Sequence, residues 1–230
     1  MNMLIHTDYW TLLCITFGLM LLFTFIMSIL SLRFYTHDVV DKKFGIMDLE
    51  LAATAMELQN LIKGLYKLPQ PKSNKAIWAL RGHLYIDFLL MPCAYGSIFI
   101  LCSLVSTKMQ SDIGRNIFLA LAWLQLISWI FDIIENIFLL RKINPIPLPK
   151  ADLSQKKYMN SAHKAFLTMV IIKWGIALTA TICAIASICY FWLSGYYSLD
   201  TLNYLLIIIG EIILFAFLYK NRIKIAAKQT

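Results

Sequence analysis

The chain has 230 residues, of which 60% are hydrophobic and 15% charged, with a formal net charge of +8. Soluble domains carry about a quarter charged residues, so this composition excludes a soluble domain of ordinary size and points to an integral membrane protein. The basic residues sit beside apolar runs, which fits membrane topology signals and argues against nucleic acid as a partner.

A helix needs about 20 apolar residues to cross a bilayer. Five segments meet that need, at about 10–32, 84–105, 117–140, 165–193 and 202–219, the second extending toward Ser73 as a longer helix. The fold class expected is therefore an all-α bundle of five transmembrane helices forming a single domain over 1–230. The first span lacks a basic region before it and a small-residue cleavage site after it, so it reads as a retained span.

Lys and Arg alternate between loops. None precedes span one. Arg33, Lys42, Lys43, Lys63, Lys67, Lys72, Lys75 and Arg81 lie between spans one and two, and Lys108 and Arg115 follow span two. Arg141, Lys142, Lys150, Lys156, Lys157 and Lys164 follow span three, the loop before span five has none, and Lys220, Arg222, Lys224 and Lys228 close the chain. The positive-inside rule then sets the N-terminus outside and the C-terminus in the cytoplasm. Tyr9, Trp10, Tyr196 and Tyr197 fall at the outer end, where an aromatic belt is expected.

Between spans one and two, Thr54 and Glu57 have capping-box spacing. Leu58, Leu61, Ile62 and Leu65 follow at i, i+3, i+4 and i+7, one apolar stripe on a helix over 55–67. Pro69 and Pro71 end it. Too short to span, this amphipathic helix is expected at the cytoplasmic interface, on the membrane surface or across the helix ends.

The ionisable residues inside the spans carry the functional argument. At 1.5 Å per residue, Asp87 lies about 8 Å from the cytoplasmic end of span two, Glu135 about 8 Å and Asp132 about 12 Å into span three, and Lys173 about 13 Å into span four. Glu211 of span five falls at a similar depth. Charges facing lipid are costly, so such groups turn inward and pair. Gln125, Ser128, Asp132, Glu135 and Asn136 recur at helical spacing as one polar face. Pro92 frees the carbonyl of Phe88 next to Asp87. His83 is four residues before Asp87, and Arg81 is nearer the interface. Four carboxylates then face one deep cation: either a carboxyl is protonated at neutral pH, or a cation or cationic ligand balances the excess.

The expected ligand-binding set is Asp87, Asp132, Glu135, Asn136, Lys173, Glu211, His83 and Arg81, around an acidic cavity that takes a cation, proton or cationic small ligand in connection with transport. A second possibility is an intramembrane enzyme acting on a lipid-like substrate at the inner leaflet. His83, Asp87, Asp132 and Glu135 would then be acid, base or metal ligands, and the basic rim of Arg81, Arg141, Lys142 and Lys164 would attract phosphate head groups. No GxSxG, HExxH or P-loop pattern supports it. A third is a non-catalytic accessory or scaffold subunit, in which the polar groups only assemble the bundle. The expected partners are the lipid bilayer and either a homo-oligomer or a membrane partner subunit. Cys14, Cys93, Cys102, Cys183 and Cys189 all lie in apolar segments without CxxC spacing, so neither a zinc site nor a disulfide framework is indicated.

Three stretches, FGIMDLELAAT (44–54), DFLLMPCAY (87–95) and DIIEN (132–136), resemble a family of small bacterial multi-span inner-membrane proteins with no assigned activity. The resemblance covers about residues 40–140, implies a bacterial inner-membrane location, and marks Asp48 and Glu50 as residues of interest.

Overall fold

The computed structural model of the protein describes residues 2–38, 40–143, 153–197 and 201–227. Five long helices dominate: α1 (Asn2–Leu30), α4 (Lys72–Lys108), α5 (Asp112–Ile143), α6 (Leu153–Leu193) and α7 (Thr201–Ala227). Each contains a stretch long and apolar enough to cross a membrane. The fold is that of a multi-pass helical membrane protein. All five expected spans are found, lengthened by a turn or more where polar helix continues beyond the apolar run. Lys150 and Lys228, counted in the loop charges, and part of the uncharged loop before span five lie outside the described residues.

The segment between α1 and α4 holds more structure than the single helix expected there. A 3-10 turn (Ser31–Arg33) leads into a short antiparallel hairpin, β1 (Tyr35–His37) with β2 (Asp41–Lys43), paired Tyr35 to Lys43 and His37 to Asp41. Then come α2 (Ile46–Glu50) and α3 (Ala55–Lys67). Asp48 caps α2 by accepting from the Gly45 amide at 2.7 Å. Thr54 caps α3 by accepting from the Glu57 amide at 3.1 Å, while the Glu57 carboxylate takes the Ala53 amide at 2.9 Å. Alternation over so few residues is too weak a signal to reveal the hairpin from sequence.

The apolar stripe of α3 faces protein. Leu58, Ile62 and Leu65 share one core with Phe34, Phe44 and Leu49, with Ala76, Leu80 and Leu84 of α4, Leu139 and Ile143 of α5, and Phe166 and Val170 of α6. Burying a Leu side chain is worth about 1.5–3 kcal/mol relative to water, so this core holds the segment across the ends of three spans. Polar ties add to it. Ser73 donates to the Leu65 carbonyl at 2.8 Å, Tyr66 donates to the Ile143 carbonyl, and Thr36 donates to the Leu61 carbonyl at 3.1 Å. Gly64 is where β1 crosses α3: a Cβ there would collide with the Thr36 side chain and stand 2.9 Å from the His37 carbonyl oxygen.

A second core closes the other end of the bundle. It corrects the expected aromatic belt. Trp10 is buried, stacked on Trp192 and Tyr204 and edge-on to Tyr197, itself buried. Tyr9 and Tyr196 are exposed, so only half of the expected belt faces outward. Trp10, Trp192 and Tyr204 come from three helices and Tyr197 from the turn after α6, and stacking against one another takes large aromatic surfaces out of contact with the surroundings.

Candidate functional site

The polar face of α5 turns inward along its whole length: Gln125, Ser128, Asp132, Glu135 and Asn136 are all buried. Residues three and four apart share one side of a helix, so a single contact with α4 and α6 buries the set. Lys173, 3% exposed on α6, reaches into this face. Its ammonium donates to Asp132 Oδ1 at 2.7 Å and to Glu135 Oε2. The other oxygen of Asp132, Oδ2, accepts from the Tyr95 hydroxyl of α4 at 2.9 Å. Asn136 donates to Asp87 Oδ2 at 2.8 Å and also lies 3.4 Å from the Leu84 carbonyl. Asp87 is therefore held through Asn136, which also reaches the Leu84 carbonyl.

Glu50 completes the group. It is the last residue of α2, it is buried, and it faces Lys173, Asp132, Glu135 and Trp174. Burial pushes its carboxyl above the ordinary value of 4.5, with Lys173 opposing the rise and Asp132 adding to it. A soluble-side segment thus inserts an acid among charges carried by the spans. Lys173 also lies over the Trp174 ring, 5.6 Å from its centroid.

The structure therefore brings together Asp87, Asp132, Glu135, Asn136 and Lys173 of the expected set, and adds Glu50 and Tyr95. It places His83 and Glu211 elsewhere. His83 points toward α1, with Nδ1 3.3 Å from the Met27 carbonyl and its ring against Phe34. Arg81 is half-buried on α4 toward the basic end. Glu211 lies in a groove between α1 and α7, against Gly18, Leu21, Leu22 and Phe25, with Cys14 as a charge-sensitive neighbour. α7 turns Glu211 toward α1 instead of α5. Tyr95 was legible in principle, being two turns beyond Asp87 on the same side of α4. Glu50 carried one signal, its place in FGIMDLELAAT.

Donors and acceptors are unequal here. Four carboxylates, Glu50, Asp87, Asp132 and Glu135, share one ammonium. Glu50 Oε2 and Glu135 Oε1 are buried with no hydrogen-bond partner among the described residues, as are Ser128 Oγ and Gln125 Oε1 further along α5. Each such buried group costs about 1–3 kcal/mol until a donor reaches it. Asp132 and Glu135 close directly on Lys173 as a buried ion-paired packing, with Asp87 and Glu50 beside it. Among the described residues no three His, Cys, Asp or Glu side chains converge so as to hold a metal ion.

Comparison with models of known protein families, with curated proteins and with solved structures gave no match to this chain. What the fold and site define is a class: a multi-pass helical membrane protein whose α4, α5 and α6 are joined by a buried charged network.

Proposed function

We propose that the Lys173 network is a binding site for a proton or a small cationic ligand taken from the basic, cytoplasmic end of the bundle, and that this binding is connected with transport in a bacterial inner membrane. The observation that carries the proposal is the pair of buried, unpartnered carboxylate oxygens, Glu50 Oε2 and Glu135 Oε1, beside a single ammonium. A proton on either carboxyl supplies a donor and removes a charge in one step; a bound cation does the same for the charge. Lys173 holds Asp132 and Glu135 in place, Tyr95 and Asn136 orient Asp132 and Asp87, and Glu50 brings the site to the segment nearest the aqueous side. Gln125 and Ser128 extend the polar face toward the middle of the bilayer.

The test uses the full chain in lipid nanodiscs. Sodium, potassium, magnesium or ethylammonium is added while a pH dye reports protons released. A saturating release from the wild type that disappears in the Glu50→Gln, Glu135→Gln double variant supports the cation arm. No release, together with an infrared carboxylic-acid band at neutral pH that the same variant loses, supports proton binding alone. No release and no such band would leave the network a purely structural tie, and the proposal would fall.

A further inference from the structure

A cavity with an apolar wall and a few polar groups lies at the basic end, separate from the Lys173 network. Its volume is about 280 Å³, and it is lined by Ala55, Leu58 and Gln59 of α3, Phe138 and Lys142 of α5, and Ala162 and His163 of α6. Three features in it converge on a negative charge. Lys142 lies over the Phe138 ring, 5.3 Å from its centroid, with no ion pair to a carboxylate among the described residues. The first turn of α3, a helix of 13 residues, presents Ala55 and Leu58 to the cavity; Thr54 takes the Glu57 and Leu58 amides, which leaves those of Ala55 and Met56 at the positive end of the helix, where anions are favoured. The acid of that turn, Glu57, is folded back onto the Ala53 amide.

The third feature is His163. The ring is 4% exposed, its Nε2 is 2.8 Å from the Ala52 carbonyl, and its Nδ1 is buried with no hydrogen-bond partner. Because a carbonyl only accepts, Nε2 carries hydrogen, and Nδ1 of the neutral ring is an acceptor. A plain carboxylate would leave that acceptor unmet, whereas a phosphate that keeps one P–OH donates to Nδ1 and offers its charged oxygens to Lys142 and the α3 amides. We propose that this cavity binds a phosphate group that keeps a P–OH, as a free phosphate or as the phosphomonoester head group of an anionic lipid. Exposed Arg141 and Lys164 flank the cavity-lining Lys142 and His163 and raise the local concentration of anions.

The experiment compares the full chain in phosphatidylcholine nanodiscs with and without phosphatidic acid, and in phosphatidylcholine with added inorganic phosphate. Native mass spectrometry and thermal melting are the readouts. His163 also holds the Ala52 backbone, so the variants are Lys142→Gln, which removes a partly exposed charge, and Lys220→Gln, an exposed charge on α7 away from the cavity, as control. A charge-assisted phosphate contact sets the expected loss in Lys142→Gln at about tenfold, with Lys220→Gln retaining wild-type binding. Preferential retention of phosphatidic acid with that pattern assigns the site to a lipid head group. A melting shift with inorganic phosphate, abolished by Lys142→Gln and without preference for phosphatidic acid, assigns it to a free phosphate compound. Equal losses in both variants would mean general surface attraction and would overturn the site, as would binding of neither probe. Neither result touches Glu50 or Glu135, so the Lys173 network stands or falls by its own test.

Discussion

Glu135 on α5 and Glu211 on α7 are both acids set in long apolar helices, at similar depth counted along the chain. Glu135 is fully buried, is paired with Lys173 and has Asp132 and Glu50 for neighbours. Glu211 is half-buried in an apolar groove of about 260 Å³ against α1, with Gly18 the residue its carboxylate touches. The difference is one of surroundings. The polar face of α5 packs against α4 and α6, which carry Tyr95 and Lys173, whereas α7 leaves most of its surface exposed. An acid in a span becomes part of a network only where the neighbouring helices bring donors, and depth alone does not supply them.

The largest test of that contrast is Lys173→Met. Removing one partner of a buried ion pair strands the remaining charges, and about 3–5 kcal/mol of stability is expected to go. Unfolding of the purified protein in mixed detergent reads it. Adding Asp132→Asn and Glu135→Gln to Lys173→Met should restore most of the loss; if the triple variant is no better than the single one, the three residues are not coupled.

Gly64→Val comes next. The new side chain meets the Thr36 side chain and the His37 backbone, which cannot yield, for an expected cost of about 1–3 kcal/mol. Because the hairpin and α2 are held by the same core, cysteine labelling at position 50 should speed up in a Gly64→Val background. Unchanged labelling would show that α2 is seated independently of β1.

Glu50→Gln gives a smaller, pH-dependent effect. Burial raises the folded-state pKa of Glu50 above its unfolded value, so the folded protein holds this proton more firmly. The stability associated with the protonated form is present at acid pH and is lost as pH rises from the unfolded pKa toward the raised folded one. The groups facing Glu50 are Lys173, Asp132, Glu135 and Asp87. Glu50→Gln should therefore match the wild type near pH 4 and melt higher above about pH 6. A wild type that gains on the variant with rising pH would show that Lys173 outweighs burial.

Glu211→Gln is expected to change stability least, by about 0.6 kcal/mol or less, the usual scale of an isolated polar contact between membrane helices. A loss as large as that of Lys173→Met would place Glu211 in a network of its own and erase the contrast.

The sequence by itself determined five spans, the α3 helix with its Thr54 cap, the inward polar face of α5, and the presence of one deep cation, Lys173, among carboxylates of several spans. Each rests on a local or periodic signal: apolar length, capping chemistry, helical spacing, or the cost of a charge in lipid. Only the tertiary structure decided which neighbour each helix face meets. It seated Glu50 of α2 beside Lys173, turned Glu211 and His83 toward α1, buried Trp10 and Tyr197 in an aromatic cluster, and joined Lys142 with His163 around a cavity. The order of helices around a bundle depends on how all of their surfaces pack together, and the periodicity within any one of them carries no record of it.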